Sequence, residues 1–417
     1  MTGRDDRMGR LRPVCMIVHS YYEEDPRVRR EAEALVARGR PVDVIALRRP
    51  EDGRDGVLNG VRVTRLDVQR HQGAGLWTYL REYLGFLVRA GWTLTRSLRR
   101  RRYAVVQVHS LPDFLVFAAV PAKLVGVPVI LDLHEAMPEF FKSRFPSVRG
   151  PLVRRALLLQ ERLSIAFADR VFSVNELMAE RLLDLGVRPD KLTIVPNAPD
   201  LDLFDPGSHP RRAFREDGSL RLVYTGALTP TYELDVALDA IAKLAADRPD
   251  LDVRLELYGR GDSEGPLRSL GSTLGIAERL TFHGRIPIED VPAAVAAADV
   301  GIAPTRLDEF TAVTLSTKIF EYGAMDKPVV ATRLPLVEGI FAADAVVTYP
   351  PGDAIALATA IGRLADEPLE REARVARTAA RVRELGWDRE ADRYAGVIDR
   401  LDRHHEPERK AEDAARS

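Results

Sequence analysis

Short apolar runs alternate along the chain with stretches in which apolar residues recur at helical spacing. In the first half these runs are Val14–Val18, Val42–Leu47, Val105–Val108, Val127–Leu131, Val171–Val174 and Leu192–Val195. Several are apolar at successive positions, which is typical of parallel strands buried on both faces. Helical patterns such as Arg27–Arg38 and Leu152–Ala168 lie between them. This repeated strand–helix–strand order predicts a doubly wound α/β sheet.

A second series of the same kind follows a proline-containing, charged segment near residues 197–219. Its strands are predicted at Leu220–Tyr224, Val253–Tyr258, Leu280–Phe282, Val300–Ala303, Val329–Ala331 and Ala345–Val347. We therefore predict two Rossmann-like domains, at residues 1–197 and 219–384, joined by a linker at 198–218. A helix at 385–403 is predicted next, followed by a charged tail at 404–417 that is predicted to be disordered. Open α/β sheets bind ligands beyond the carboxyl ends of their strands, so the strand-end loops of both domains carry the candidate site.

The composition is that of a soluble globular protein, because 46% of the 417 residues are hydrophobic and 29% are charged. The net charge of −1 gives no overall attraction to nucleic acid. Cys15 is the only cysteine, so no internal disulfide can form, which fits a reducing compartment. No apolar stretch approaches the roughly 20 residues that span a bilayer, and the first dozen residues lack the apolar centre of a secretory signal. We therefore expect a cytoplasmic protein.

The segment Ser316–Ala324 is the most informative part of the chain. A loop, Asp308–Leu315, leads into a helix that is predicted to open at about Ser316 and to carry Glu321 one to two turns in. Free amides at a helix N-terminus attract an anion such as a diphosphate. A glutamate on the same helix can accept paired hydrogen bonds from a ribose diol. The segment therefore predicts a nucleotide site.

Ser316–Ala324 also resembles the donor-site helix of retaining glycosyltransferases with the GT-B fold, specifically those of glycosyltransferase family 4. Further segments resemble that family in order and spacing: Val14–Ser20 with Asp25–Ala32, Val195–Asn197 with Phe204, Leu222–Leu228, Leu257–Gly261 and Phe282–Arg285. The resemblance implies two Rossmann-like domains facing a central cleft, with a C-terminal helix that returns to the N-terminal domain. It also implies a metal-independent, hexosyltransferase-type reaction that needs no cofactor and keeps the configuration of the transferred sugar.

The resemblance assigns the nucleoside-diphosphate sugar, the donor, to the second domain. The residues it implies for donor binding are Gly226, Ala227, Leu228, Gly259, Arg260, Gly284, Arg285, Thr314, Leu315, Ser316, Thr317 and Glu321. Glu321 is expected to hold the ribose, and the backbone amides of the Thr314–Lys318 region are expected to meet the diphosphate. Lys318 is expected to stabilise charge on the leaving diphosphate during catalysis. The alternative for Lys318 is an i,i+3 salt bridge to Glu321 on a solvated face.

Three departures from the family pattern bear on activity. The glutamate that meets the donor sugar in the family is replaced by Val313, and the acidic side chains near it, Asp308 and Glu309, lie upstream of that position. The cations that many relatives carry after the first glycine loop are replaced by Thr229–Glu233. A glycine-rich turn after the first strand is replaced by the bulkier, acidic His19–Glu24.

Two histidines follow strands of the first domain and mark the acceptor side of the expected site. His109 ends one strand and His134 follows the next, in the sequence Asp-Leu-His-Glu. A histidine can exchange protons or hydrogen-bond a sugar hydroxyl near neutral pH. The family places a histidine near the reacting sugar at the counterpart of His109, so we predict a catalytic role for His109. His134, Glu135 and Glu139 are acceptor-side candidates, and the alternative for each is a purely structural role.

A long basic segment, Leu76–Arg102, combines apolar residues at helical spacing with several arginines. A basic amphipathic helix can lie on an anionic membrane surface, to which Arg149–Arg155 would add charge. The alternative is a helix that packs its apolar stripe on the sheet and leaves its arginines in solvent. The first reading predicts a peripheral protein on the inner face of the cell membrane.

The sequence predicts no metal site. Asp200–Leu201–Asp202 matches a metal-binding motif of another glycosyltransferase class, but it falls in the predicted linker, so we interpret it as coincidence. The predicted function is transfer of a sugar to an acceptor hydroxyl of a glycan, glycolipid or small molecule, as in polysaccharide or glycoconjugate biosynthesis. Two alternatives remain open at this point: a UDP-sugar 2-epimerase on the same fold, and a non-catalytic, nucleotide-binding partner subunit.

Overall fold

A computed structural model describes residues 11–68, 75–145, 148, 150–210 and 212–416, without the side chains of Leu76, Arg144 and residues 404–416. The chain forms two compact units. The first unit comprises Met1–Pro196 together with Asp388–Ser417, and the second comprises Asn197–Trp387. No helix in the described part of the chain is long and apolar enough to cross a membrane.

The first unit is built on an eight-stranded sheet in the order β3-β4-β2-β1-β5-β6-β7-β8. Its strands are β1 (Val14–Ile17), β2 (Val42–Leu47), β3 (Asp55–Leu58), β4 (Val61–Leu66), β5 (Val105–His109), β6 (Val129–Leu133), β7 (Arg170–Ser173) and β8 (Leu192–Ile194). All neighbouring strands are parallel except β3 and β4. The β3–β4 hairpin is absent from the sequence prediction, although its Asn59–Gly60 turn, with positive φ at both residues, is a standard hairpin signal.

Helices cover the strands of the first unit. They are α1 (Pro26–Ala37), α2 (Leu76–Leu98), α3 (Val120–Leu124), α4 (Met137–Arg144), α5 (Pro151–Phe167) and α6 (Glu176–Asp184). Helix α1 shows how the sequence fixes such an element: Pro26 occupies its first turn, and the Asp25 side chain accepts a hydrogen bond from the backbone N–H of Val28. Apolar side chains of β1, β5 and β6 form one core with α2, α3 and α5.

The second unit has a six-stranded, fully parallel sheet in the order β11-β10-β9-β12-β13-β14. Its strands are β9 (Ser219–Thr225), β10 (Asp252–Tyr258), β11 (Leu280–Gly284), β12 (Val300–Ala303), β13 (Val329–Thr332) and β14 (Val347–Tyr349). Its helices are α7 (Leu234–Asp247), α8 (Glu264–Thr273), α9 (Val291–Ala296), α10 (Lys318–Ala324), α11 (Pro335–Ile340), α12 (Ala354–Asp366) and α13 (Pro368–Glu384). Two apolar cores hold these helices to the sheet, one including α7 and α12 and the other including α9, α10 and α11. The two parallel sheets confirm the predicted α/β fold class.

The last helix, α14 (Trp387–Arg416), belongs to the first unit after its opening residue. Tyr394 on α14 has no exposed surface and donates a hydrogen bond to Gln107 of β5 at 2.7 Å. The buried Arg40 binds Asp399 and Asp402 of the same helix. These contacts confirm the predicted return of the C-terminal helix to the first domain. The tail at 404–417, predicted to be disordered, continues α14 as far as Arg416, and its side chains lie outside the described residues.

Candidate active site

Three strand-end loops of the second unit are joined by backbone hydrogen bonds. The N–H of Gly226 donates to Tyr258 O at 2.8 Å, and that of Leu228 donates to Arg260 O at 3.0 Å. The N–H of Gly259 donates to Gly284 O at 2.8 Å. The predicted donor loops that follow β9, β10 and β11 therefore form one continuous surface at the carboxyl edge of the sheet.

Glycine is required where these loops approach one another. Gly259 has φ of +159°, and a Cβ atom on it would lie 1.7 Å from Gly226 O. A larger residue at position 259 would push the loops apart. These loops also carry two exposed cationic side chains, Arg260 after β10 and Arg285 after β11.

Helix α10 begins at Lys318, two residues later than the sequence pattern predicts. Thr317 takes the N-cap position: its carbonyl accepts from the N–H groups of Phe320 and Glu321, while Ser316 O accepts only a longer bond, of 3.3 Å, from the N–H of Ile319. In the part of the chain that the structure describes, the backbone N–H groups of residues 315–318 donate to no acceptor. The hydroxyl oxygen of Ser316 is buried and also lacks a hydrogen-bond partner there. Four consecutive unused amides beside a hydroxyl without a partner offer hydrogen-bond donors of the kind that an anion accepts from.

Lys318 lies against the loop that follows β9. Its side chain is only 7% exposed, and its Nζ atom lies 4.1 Å from the ring centre of Tyr232 and 5.1 Å from that of Tyr224. A Cβ atom on Gly226 would lie 2.6 Å from Lys318 Cε, so the glycine makes room for the lysine. Within the described residues Lys318 has no ion pair or hydrogen bond, and the salt bridge to Glu321 considered from the sequence does not form. The buried ammonium group is held by aromatic rings, which leaves its N–H groups for a ligand.

The remaining donor-side residues lie on α10 and in the segment that precedes it. Glu321 is partly exposed on α10, and the neighbouring Tyr322 hydroxyl accepts a hydrogen bond from the N–H of Thr225 at 3.0 Å. Thr314 donates its hydroxyl to Phe310 O in the preceding loop. Asp308 accepts hydrogen bonds from the N–H groups of Phe310 and Thr311, so its carboxylate stabilises this loop.

Val313 lies partly buried in a short 3-10 helix just before α10. The buried Glu233 accepts a hydrogen bond from the N–H of Gly352, which ties the segment that replaces the family's loop cations to the loop after β14. The sequence departures at both places are therefore accommodated within a packed structure.

In the first unit, His109 and His134 meet at one buried carboxylate, Asp132. Asp132 Oδ2 lies 3.0 Å from His109 Nδ1 and 3.3 Å from His134 Nε2, and these two nitrogens are 3.2 Å apart. His109 has no exposed surface, whereas the His134 side chain is 17% exposed. His134 is therefore the member of the pair that reaches solvent.

Arg27 of α1 neutralises this carboxylate. It donates two hydrogen bonds to Asp132, from Nη2 at 2.7 Å and from Nε at 3.0 Å. Burial alone would raise the pKa of Asp132, but the Arg27 charge and hydrogen bonds from both imidazoles hold it well below 3.8. The sequence alone predicts neither residue as part of the site. Arg27 lies in the segment Asp25–Ala32 and Asp132 precedes His134, but no sequence pattern shows that residues 105 positions apart are paired.

The two acceptor-side glutamates differ in their surroundings. Burial raises the pKa of Glu135 to about 7, against the opposing charge of His134, so Glu135 can hold or release a proton near neutral pH. Glu139 is bound by Arg181, which also binds the buried Glu161. The carboxylate of Glu139 is thus committed to an ion-pair network between α4, α5 and α6.

His109, Asp132 and His134 are the only group in the described residues with the spacing of a metal site. The donor set fits a divalent cation poorly, because the guanidinium of Arg27 already neutralises Asp132 at 2.7 Å. Asp200, from the Asp-x-Asp sequence, accepts hydrogen bonds from the N–H groups of Asp202 and Leu203 and caps a turn. Neither place favours a metal.

Comparison with protein families matches both halves of the chain. Residues 25–198 match the family model described as a glycosyl transferase 4-like domain, and residues 219–367 match that of glycosyl transferases group 1. The chain belongs to the GT-B glycosyltransferases of the family 4 type.

Curated relatives of this glycosyltransferase carry related names. A D-inositol 3-phosphate glycosyltransferase of Geodermatophilus obscurus is 31% identical over 43% of this chain, a match that covers 41% of the relative. The enzyme of that name from Pseudarthrobacter chlorophenolicus is 28% identical, over 73% of this chain and 74% of its own length. An alpha-D-kanosaminyltransferase of Streptomyces kanamyceticus is 24% identical, over 89% of this chain and 97% of its own length.

Solved structures resemble this glycosyltransferase over almost its whole length. A sucrose-phosphate synthase from Thermosynechococcus elongatus has a TM-score of 0.74 at 18% identity, covering 94% of this chain and 99% of the other. HepE from Anabaena, in complex with UDP-glucose, has a TM-score of 0.69 at 14% identity, covering 93% and 99%. At these identities the likeness establishes the fold.

Proposed function

We propose that this protein transfers a sugar from a nucleoside-diphosphate sugar to an acceptor hydroxyl. The observation that carries the proposal is the surface of residues 315–318, where four amides and the buried ammonium group of Lys318 have no partner among the described residues. A diphosphate supplies the negative charge and oxygen acceptors that such a surface lacks. The Anabaena neighbour of the same fold holds UDP-glucose, which supports a nucleotide-sugar ligand.

The residues of this surface take part in the reaction in two ways. As the bond between the anomeric carbon and the β-phosphate oxygen stretches, negative charge grows on the diphosphate, and the amides and Lys318 stabilise it. Glu321, partly exposed on the same helix, accepts hydrogen bonds from the ribose hydroxyls. The loops at Gly226–Leu228, Gly259–Arg260 and Gly284–Arg285 surround the nucleoside.

The first unit provides the acceptor side. His134, the exposed member of the histidine pair, meets a sugar hydroxyl, and His109 supports it from the buried side of Asp132. Glu135, with its raised pKa of about 7, exchanges a proton with the acceptor hydroxyl or with solvent. The acceptor is a hydroxyl of a glycan, glycolipid or small molecule.

We further propose that the reaction retains the anomeric configuration and needs no metal ion. Retention follows from the family resemblance, and NMR of the product's anomeric proton tests it. Metal independence rests on the neutralised Asp132 and on cationic groups, Lys318 and Arg260, that take the place of a metal at the diphosphate. An unchanged rate in excess EDTA is the expected result.

We also propose that the protein binds the cytoplasmic face of the cell membrane through helix α2. One face of α2 exposes Trp77, Leu84, Val88 and Trp92, each more than half accessible, with exposed arginines at positions 81, 89 and 96 beside them. The apolar residues suit the headgroup boundary and the arginines suit anionic lipids. Binding through this face would bring the protein to a lipid-linked acceptor.

A ligand-induced thermal shift tests the donor site. Nucleoside-diphosphate sugars should raise the melting temperature of the wild type, and Glu321→Ala should remove most of that shift because the ribose contact is lost. Glu338→Ala, which removes a more exposed glutamate of the neighbouring helix α11, is the matched control and should keep the shift. An unchanged shift in Glu321→Ala would refute the ribose role.

Measurements of turnover distinguish a glycosyltransferase from an epimerase and from a non-catalytic subunit. Relatives named as transferases do not favour an epimerase, and incubation with UDP-sugars without acceptor should yield no epimerised sugar. A non-catalytic subunit would show the thermal shift without transfer to any member of a broad acceptor panel.

A further inference from the structure

Four side-chain nitrogen atoms surround one carboxylate oxygen of Asp132. Within 3.3 Å of its Oδ2 atom lie Arg27 Nε, Gln107 Nε2, His109 Nδ1 and His134 Nε2. Asp132 has no exposed surface, so water does not compete for these positions. An ionised carboxylate only accepts hydrogen bonds, so a lone pair on either imidazole nitrogen would be repelled by it. An N–H on both nitrogens is therefore favoured over a hydrogen bond between His109 Nδ1 and His134 Nε2, which lie 3.2 Å apart.

The charge of Asp132 thus favours one tautomer of each histidine. A neutral His134 with its proton on Nε2 carries a lone pair on Nδ1, and Nδ1 has no partner among the described residues. His134 is also the exposed member of the pair. Its Nδ1 atom can thus accept a hydrogen bond from a substrate hydroxyl.

The carboxylate is itself held rigidly by three elements. Arg27 on α1 binds both of its oxygens and donates a third hydrogen bond, from Nη1, to Val195 O at 2.8 Å. The Gln107 amide is oriented from both ends, since its Nε2 donates to Glu31 at 2.6 Å and its Oε1 accepts from Tyr394 of α14 at 2.7 Å. Asp132 cannot rotate away from the imidazoles without breaking these bonds.

We propose that Asp132 is a positioning residue that fixes the Nε2–H tautomer of His134, so that His134 Nδ1 accepts a hydrogen bond from a hydroxyl of the reacting sugars. The inference rests on the proposed function, because it states which ring nitrogen of the acceptor-side histidine accepts a hydrogen bond from the substrate. Asp132 itself touches no substrate. It acts through His134, with Arg27 and Gln107 as its support.

The tautomer can be measured in the wild-type protein. In protein labelled with ¹⁵N-histidine, the ring resonances of His134, assigned by comparison with His134→Ala, should show a protonated Nε2 and an unprotonated Nδ1 at a pH where the ring is neutral. The opposite tautomer would overturn the inference. This measurement does not depend on whether any Asp132 variant folds.

Kinetics of Asp132→Asn give the second test. The asparagine amide can donate to His134 Nε2, which would move the ring proton to Nδ1 and turn the acceptor atom into a donor. We expect kcat/KM to fall about 10- to 100-fold, the size of one hydrogen bond to a reacting group. The nucleotide-induced thermal shift, a property of the second unit, should be retained.

A double variant separates positioning from simple destabilisation. If Asp132 acts through His134, then adding Asp132→Asn to His134→Ala should lower kcat/KM no further. Additive losses would contradict the inference. Asp43→Asn is the matched control, because Asp43 of the same unit is also held by arginine and by a tyrosine hydroxyl, and its loss should leave kcat/KM unchanged.

The two proposals fail in different ways. If the wild type shows no thermal shift with any nucleotide sugar, the proposed function fails. If the wild type binds and transfers sugar while Asp132→Asn keeps its kcat/KM, only the positioning role of Asp132 fails.

Discussion

At the scale of a single residue, the burial of Glu31 on α1 makes the stability of the protein depend on pH. It has no exposed surface, and burial, together with the negative charge of Asp132, raises its pKa to about 8 against the opposing charge of Arg27. In the unfolded chain the same group titrates near 4.5. Between these values the folded protein binds the extra proton, so stability is lost as the pH rises.

Glu31→Gln should remove this pH dependence, because glutamine keeps the size of the side chain and cannot ionise. Between pH 5 and pH 8 we expect the wild type to lose up to about 1.4 kcal/mol per pH unit more of its unfolding free energy than the variant does. Urea denaturation at several pH values measures the difference. Other buried acids, such as Glu135, are present in both proteins and cancel. Parallel curves would contradict the raised pKa of Glu31.

Helix α2 shows at the scale of an element why periodicity alone leaves two readings open. One face packs Phe86, Ala90 and Leu94 into the core, as the packing alternative requires. A second apolar face remains exposed, with Trp77 81% and Trp92 56% accessible. Arg96 lies over the Trp92 ring, 4.9 Å from its centre, and so carries its charge beside this exposed face.

The double variant Trp77→Glu, Trp92→Glu should lose membrane binding. We expect the wild type to co-sediment with vesicles that contain anionic lipid, less so at high salt, and the variant to bind at least about 10-fold more weakly because it removes both aromatic anchors. Leu369→Glu, at an apolar position of the second unit that is 83% exposed, is the control and should bind like the wild type. A wild type that stays in the supernatant at low salt would refute the membrane role of α2.

At the scale of the whole molecule, the first unit is completed by the C-terminal end of the chain. Ile398 of α14 has no exposed surface, and Asp399 and Asp402 bind the buried Arg40. Ile398→Ala should therefore destabilise the first unit by about 2–5 kcal/mol, as for other buried aliphatic truncations. Arg400→Ala, at an exposed position of the same helix, should change stability by less than about 0.5 kcal/mol.

Thermal unfolding with and without a nucleotide sugar tests whether Ile398→Ala affects only the first unit. The Ile398→Ala protein should unfold earlier, yet the second unit should still bind the ligand and show its own stabilisation. Loss of nucleotide binding in Ile398→Ala would mean that the donor site depends on the first unit.

Much of the fold could be predicted from the sequence because parallel, doubly buried strands leave long apolar runs. The donor loops at Gly226 and Gly259 were expected from the family resemblance, and each of them directly follows such a run. The short edge hairpin β3–β4 was missed because its strands are partly exposed and lack a continuous apolar run. Helix α10 begins two residues later than predicted because Thr317, whose carbonyl accepts from two N–H groups, is its N-cap.

The sequence by itself determined two parallel sheets, the loops at their carboxyl ends and the family, since these depend on local order along the chain. Tertiary structure decided which polar groups are satisfied and which remain available. It buried His109, exposed His134, joined Arg27 to Asp132 across 105 positions and left Lys318 between two tyrosine rings. The reason is physical: a side chain's hydrogen-bond partners and its access to water depend on neighbours brought together by packing, and these are distant in sequence.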